Sequence, residues 1–459
     1  MAIISIESQF HNLLFLFICL LCGLIIFQFW IKKSHKKIHL PPSPPALPFI
    51  GHLHLLGSLW HQSFQKLASR YDPFMLIHAG ASTSYVVSNG TIAKEVFKTN
   101  DINFAARPEF GSSEYQIYHD TMFSILDYNK LWIFLKKICM TEIPSAQQIS
   151  KFADVRKEEM MKVLEFLVKF SEQGDACDVG IQLMAMTNNL ICRLSMSTRT
   201  STNVDESAEI REIAKGIVLL AGQLGLGEIF GPLKKYDLLG AGKKAKALLL
   251  KFDKFMDGII KKHEDERRVG GKERRDMMDI LLEIADDENA EMKLTSNGIK
   301  GLFLVIRLLS ILSKVHFSMK IFNGYTIPKN SRLVLNIYAI NRDSNEWRNA
   351  DEFIPERYLV NSGGGEENQL AIEPDELEAM KGQNFCYVPF GGGRRGCPGA
   401  GLAAAVLHRT LGVLIQCFDW KIKGAEKLNM EQGAGFSCAM VHPLICYPVM
   451  RVNPLEIAN

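Results

Sequence analysis

The 459-residue chain predicts a mainly α-helical globular protein with small β-sheets, joined to a membrane by an N-terminal transmembrane helix. Three observations carry this reading. Apolar residues recur at helical spacing through most of residues 59 to 320, strand signals are few and short, and residues 13 to 30 form one uncharged apolar run. Composition agrees, since 47% apolar and 22% charged residues describe a folded protein rather than a disordered one. The net charge of +3 lacks the basic excess of a nucleic-acid binder, so no nucleic-acid partner is expected.

Residues 13 to 30, LLFLFICLLCGLIIFQFW, hold one Gln and no charge. As a helix the run would be about 27 Å long, close to the hydrocarbon thickness of a bilayer. Lys32, Lys33, Lys36 and Lys37 follow it, while only Glu7 is charged before it. The lysines place the C-terminal side in the cytosol and residues 1 to 12 in the lumen. A cleaved signal peptide usually has a basic start and a small-residue cleavage site, and neither is evident. Cys19 and Cys22 lie inside this run and read as small hydrophobes rather than a zinc or redox pair. Residues 31 to 50 then form a basic, proline-rich hinge. Five prolines between Pro41 and Pro48 cannot make a helix and predict a stiff, extended spacer.

The globular part, 51 to 459, reads as one α-rich domain. Helical periodicity marks 153 to 173, 205 to 224 and 241 to 268. Strands are expected at Phe74 to Ile77, Ser84 to Val87 and Ser331 to Ile340, the last after a turn at Asn323-Gly324. The charged cluster from Glu264 to Arg275 and residues 361 to 383 read as loops, and 301 to 320 as one apolar filler helix.

The ten cysteines are scattered and do not form a disulfide framework. One stands out. Residues 389 to 401 read PFGGGRRGCPGAG, and an apolar helix follows from about Leu402 to Phe418. Cys397 sits just before that helix, whose dipole and free N–H groups favour an anion, so its thiol pKa is expected to fall. A thiolate can ligate iron and push electron density onto it, promoting O–O cleavage. Glycines would let the backbone approach a flat porphyrin, Arg395 could pair with a propionate, and Phe390 could pack beside the sulfur. Two rival readings fit less well. Gly399 to Ala404 matches a dinucleotide-binding G-x-G-x-x-A, but that motif needs a turn directly after a strand; here Cys397-Pro398 intervenes, and no β-α-β unit follows. A bare glycine loop explains the glycines but not the placement of Phe, Arg and Cys.

The spacing Phe390-x-x-Gly393-x-Arg395-x-Cys397-x-Gly399 resembles the haem-binding signature of the cytochrome P450 superfamily. Trp132 and Lys136 resemble the Trp-x-x-x-Arg/Lys pair of the family's C helix, which contacts the haem propionates. Phe353-Ile354-Pro355-Glu356-Arg357-Tyr358 resembles its Pro-Glu-Arg-Phe segment. The anchor and hinge resemble those of microsomal plant members. Segments such as 51 to 54, 137 to 142 and 416 to 421 resemble the flavonoid- and isoflavonoid-modifying group of flavone synthases, isoflavone synthases and pterocarpan hydroxylases. The resemblance implies the cytochrome P450 fold and haem b (iron protoporphyrin IX) ligated by Cys397. It assigns Arg395, Phe390, Gly393, Gly399, Trp132 and Lys136 to cofactor binding. It also implies an NADPH–cytochrome P450 reductase as electron donor, docking on Lys136, Lys137 and Arg394. The substrate would be small and apolar, framed by residues 101 to 131 and by Phe436 to Met440. The location would be the endoplasmic reticulum membrane, with one span and a domain facing the cytosol.

Two family motifs do not occur where the resemblance places them. One is Ala/Gly-Gly-x-Asp/Glu-Thr, which supports proton delivery over the haem, and the other is Glu-x-x-Arg, which binds the arginine matching Arg357. The chain runs from Thr295 through Lys320 directly into Ile321-Phe322-Asn323, so an internal truncation near 304 to 322 is expected to remove most of the I-to-K helix region. Arg307, Ser310 and Ser313 do not restore an acid–hydroxyl pair, and Glu264 to Arg267 matches Glu-x-x-Arg by chance, far upstream. No catalytic residue is therefore assigned. Two expectations stand together: a monooxygenase acting on an apolar plant metabolite, and an impaired truncated product that at most binds haem.

Overall fold

In the computed structural model, residues 39–107, 121–142, 145–198, 228–270, 275–305, 312–314, 320–358, 385–422, 428–433 and 440–457 are described, position 124 excepted. So are positions 15, 16, 19, 22, 23, 213, 216 and 424. The expected anchor is described only at those five N-terminal positions, which are helical; the rest of 13 to 30, the four lysines, and most of the helix expected at 205 to 224 lie outside.

Helix α1 (Trp60–Arg70) leads into strands β1 (Phe74–Ala79) and β2 (Ser82–Val87), an antiparallel hairpin with Phe74 opposite Val87. Alternation along the strands splits their side chains between two clusters. Phe74, Leu76, Tyr85 and Val87 enter one, while Met75, Ile77 and Val86 meet Phe64 of α1 in the other. The proline segment docks on this hairpin: Leu76 N–H donates to Pro42 O at 2.9 Å, and Ser43 Oγ donates to Leu76 O. It holds no helix, and it lies on the domain rather than standing off as a spacer.

Helix α2 (Gly90–Lys94) runs into a π-helical turn at Glu95–Thr99. Helices α3 (Lys130–Glu142), α4 (Ala146–Lys151) and α5 (Ala153–Gln173) follow, and Gly174 ends α5 at φ 67°, where Asp175 N–H reaches Phe170 O. Strand β3 (Cys177–Asp178) precedes α6 (Val179–Met196), capped by the Asp178 carboxylate. Then come α7 (Ala241–Arg268), α8 (Met277–Asp286) and α9 (Ser296–Val305). Their apolar faces close on α3 around Met256, Met278, Leu281, Ile299 and Leu135. Helix α7 extends through Glu264 and Arg267, so the first part of the expected charged loop is helical; residues 271–274 lie outside the description.

Strand β4 (Leu312–Lys314) comes soon after α9, so 301 to 320 is not one helix. It pairs with β7 (Arg332–Leu335), giving the sheet order β1-β2-β7-β4. Between them, β5 (Lys320–Phe322) and β6 (Tyr325–Ile327) form a hairpin. Its turn residues, Asn323 and Gly324, both have positive φ, as a tight two-residue hairpin turn requires. The strand expected to reach Ile340 stops at Leu335, because Asn336 caps a short helix, α10 (Ile337–Ile340).

The matched Pro-Glu-Arg segment is a 3-10 turn at Pro355–Tyr358; the Arg357 side chain and residues 359–384 lie outside the description. Helix α11 (Ala400–Cys417) runs directly into β8 (Phe418–Ile422), which pairs with β9 (Ile445–Met450) in the sheet β3-β9-β8; α12 (Pro454–Ile457) closes the chain. Among the described residues α11 is the one helix long and apolar enough to cross a membrane. Leu414 and Cys417 are buried with Leu164, Leu167 and Met186 of α5 and α6, so this helix is a wall of the domain.

Candidate haem-thiolate site

The site forms where the loop before α11 meets α3. Asn129 accepts the Trp132 N–H at 2.8 Å and starts α3, placing Trp132 and Lys136 one turn apart on one face. Trp132 is buried, its ring stacks on Phe123 with centroids 5.3 Å apart, and Nε1 donates to Phe123 O. Lys136 Nζ donates to Gly396 O, tying the helix to the loop.

The loop folds back on itself. Cys397 N–H donates to Phe390 O at 3.0 Å and Gly396 N–H to Gly393 O. Gly393 has φ 61°, and a Cβ there would stand 2.5 Å from the Phe97 carbonyl oxygen. That glycine is needed so the loop can rest on the π-helical turn, a reason nearer at hand than approach to a porphyrin. Phe390 is half-buried and supplies its carbonyl to the loop.

Cys397 is half-buried at the N-terminus of α11. The Gly399 and Ala400 N–H groups aim at its sulfur, and Lys136 adds a positive charge. Burial nevertheless outweighs them and pushes the free thiol up, so the expected fall in pKa is not met. The amides are placed as the sequence suggested, but a cation at the sulfur is needed to take the proton's place.

Arg395 lies over the Trp132 ring at 4.2 Å and donates to the carbonyls of Ala105 and Leu126, both at 2.7 Å. Burial, reinforced by the nearby Arg107 charge, lowers it to about 9. Burial alone lowers Arg107 to about 10. Lys136 is also lowered, first by burial, although the Cys397 and Cys139 sulfurs work the other way. Sequence reading missed Arg107; its one signal was a cation directly after the apolar Phe104-Ala105-Ala106. Lys136 stands beside the thiol, Arg395 over Trp132 and Arg107 near Arg395; these three cations, each held below its ordinary value, fit a planar ligand that carries carboxylates and a thiolate-accepting metal.

All seven residues expected to bind the cofactor thus converge. The expected docking face does not hold together as drawn. Lys136 turns inward, Lys137 pairs with Glu291 on the surface, and Arg394 is held by Asp101 at 2.9 Å and Tyr128. Of the substrate frame, 108–120, 124 and 436–439 lie outside the description.

Helix α9 contributes Ile299, Leu302 and Phe303 to the core shared with Trp132 and Phe123. Gly301 packs against the Thr121 backbone, where a Cβ would sit 2.7 Å from the carbonyl oxygen. Its one charged residue, Lys300, is taken up by Asp253 at 2.8 Å and Asp257 at 2.6 Å of α7. No carboxylate stands on α9, and Arg307, Ser310 and the Ser313 side chain lie outside the description. Arg267 pairs with Asp286, in keeping with a chance match of Glu264 to Arg267.

Among the described residues one group has metal-ligand composition, His263, Asp276 and Asp279, all buried. His263 Nδ1 is 2.8 Å from Ile259 O, which can only accept, and Nε2 is 2.9 Å from Asp276 Oδ2. Both ring nitrogens are committed, so the group reads as a buried charged staple between α7 and α8.

A family model described as Cytochrome P450 matches residues 41–309 and 305–447. Among curated relatives, 3,9-dihydroxypterocarpan 6A-monooxygenase of Glycine max is 33% identical over 513 aligned residues, covering 96% of this chain and 98% of the relative. Cytochrome P450 705A12 of Arabidopsis thaliana is 32% identical, covering 98% of each. Beta-amyrin 24-hydroxylase of Glycine max is 29% identical, covering 94% of this chain and 98% of the relative.

Proposed function

The chain belongs to the cytochrome P450 family, and from that premise we propose that it is a haem-thiolate monooxygenase of plant secondary metabolism, oxidising a flavonoid-, isoflavonoid- or terpenoid-like substrate. Family membership implies a haem-thiolate cofactor, a small substrate and a reductase as redox partner. The observation that carries the reading is the convergence of Cys397, Lys136, Arg395 and Arg107 in one cluster. Haem b, when bound, would supply dioxygen activation at a thiolate-ligated iron.

The chain's own residues would do the rest. Cys397 would ligate the iron, with the Gly399 and Ala400 N–H groups and Lys136 offsetting its charge. Arg395 and Arg107 would hold propionates, and Trp132 supports Arg395 from beneath. Electrons come from NADPH through a membrane-bound flavoprotein reductase. The run at 13 to 30 anchors the chain once in the endoplasmic reticulum membrane, residues 1 to 12 lie in the lumen, and the domain from 51 onward faces the cytosol. The test is a carbon monoxide difference spectrum of the reduced protein. The long-wavelength Soret band of thiolate ligation is expected, and a chain that takes up no haem sinks the reading.

A second reading has its own support: an internally truncated chain that binds haem but activates oxygen poorly. The family model matches in two segments that meet at 305–309, and the 513 aligned residues exceed the chain's 459. Phe353, beside the Pro-Glu-Arg turn, is 94% exposed, and Leu407, Leu411 and Ile415 leave an uncovered apolar stripe on α11. Sequencing the transcript across Leu304 to Phe322 decides between a shortened message and a full one.

A further inference from the structure

Two cysteines away from the haem site face each other across a sheet. Cys177 on β3 and Cys446 on β9 are direct partners in an antiparallel ladder, and both are buried in one apolar cluster. Opposed residues send their side chains to the same face. Val179 N–H donates to Leu444 O two positions along. By the alternation of the ladder, Cys177 and Cys446 also form a hydrogen-bonded pair, with an ideal Cα spacing of about 5.5 Å. Disulfides span Cα separations of about 4.4–6.8 Å. Burial, then the neighbouring Cys446, pushes Cys177 up to about 11, while burial alone raises Cys446.

We infer that Cys177 and Cys446 form a reversible disulfide when the protein meets a hydroperoxide, locking the α5–α6 junction to the C-terminal hairpin. With hydrogen peroxide, one thiol is oxidised to a sulfenic acid as the O–O bond breaks and water leaves. The second thiol displaces the sulfenic hydroxyl as a second water, and the S–S bond forms. Two thiols lose two electrons and two protons, and the peroxide ends as two waters. The reaction is slow, because a thiol with a raised pKa is a poor nucleophile and must wait for the two-residue β3 to open. The bond is easily reversed. Side chains at a hydrogen-bonded position stand farther apart than at the alternate position, so closing the bond stores strain. The locked hairpin follows directly on α11, whose N-terminus presents Cys397.

The test treats the full-length protein with hydrogen peroxide, alkylates the remaining thiols, digests it and maps cross-linked peptides by mass. Sulfoxide at the exposed Met430 serves as the dose control. A Cys177–Cys446 peptide pair that disappears on treatment with reduced glutathione is the expected result. In Cys446→Ser, Cys177 should stay open to alkylation after unfolding. The inference is overturned if Cys177 in the wild-type chain remains fully alkylated once Met430 is oxidised. Pairing of Cys177 with Cys417, buried in the same cluster, would overturn it equally. Should the serine variant fail to fold, the wild-type map alone decides.

Discussion

The cysteine side and the oxygen side of the candidate haem site are held by different amounts of structure. On the cysteine side the functional groups are tied to the structure around them. Arg395 bridges two carbonyls and stacks on Trp132, Lys136 pins Gly396, and Gly393 seats the loop on Phe97. On the oxygen side the described part of α9 carries no carboxylate, and its one lysine is taken up by α7. Binding a metal needs a local loop on a firm floor, and the chain has one. Delivering protons to bound oxygen needs an acid and a hydroxyl placed over the metal, and the described residues of α9 hold no acid. The comparison therefore separates haem binding from turnover.

The largest expected effect breaks the cysteine side outright. Cys397→Ala should abolish the thiolate-type carbon monoxide spectrum and all turnover, while far-ultraviolet circular dichroism keeps its helical form. A retained spectrum would remove Cys397 from its assigned role. Next comes the oxygen side. Grafting a segment with an acid and a hydroxyl of the family type between Val305 and Leu312 should raise turnover by about 10²-fold or more, the usual worth of general acid–base catalysis. It should also lower binding of a hydrophobic dye, by covering Leu407, Leu411 and Ile415. Turnover equal to that of the ungrafted chain would mean the oxygen side is already complete.

Gly393→Ala forces a Cβ against the Phe97 carbonyl at positive φ. A stability loss of about 2 kcal/mol and poorer haem retention are expected in denaturant titration. Arg395→Lys keeps the charge but cannot bridge both carbonyls or stack flat on Trp132. Haem retention should fall, with a stability cost of about 1–2 kcal/mol.

The smallest effect lies in the floor beneath α9. Burial pushes Asp276 up, but hydrogen bonds from His263, Ser197 and the Asp279 backbone more than reverse this, and its carboxyl ends below its ordinary value. Its contribution is therefore present in full above about pH 4 and is lost as pH falls through the lower, folded value. Melting curves from pH 6 down to 3 should show a shallower acid slope for Asp276→Asn, and the cysteine-side spectrum should not change at pH 7.

Much of the cysteine side was legible in the sequence because its chemistry is local. Phe390, Gly393, Arg395, Cys397 and Gly399 lie within ten residues of chain, and α3 sets Trp132 and Lys136 on one face by its own period. Strands β1 and β2 and helices α5 and α7 were legible for the same reason, since periodicity is a property of the segment. Arg107 was not legible. It matters only because Arg395, far along the chain, comes to lie beside it, and no local pattern encodes that approach. The end of β7 at Leu335 was misread because Asn336 looks like any polar residue in a strand until its side chain caps α10.

By itself, then, the sequence singled out Cys397 as the candidate ligand, with its glycine-rich frame, and gave away the helical class of the domain and the likeness to one family. Each rests on residues close in the chain, where spacing and backbone chemistry suffice. Only the tertiary structure decided that Lys136 turns inward to the loop, that burial raises the Cys397 thiol despite the helix N-terminus, and that Cys177 meets Cys446. Those outcomes depend on which surfaces exclude water from one another, and a linear pattern does not carry that information until the chain has folded.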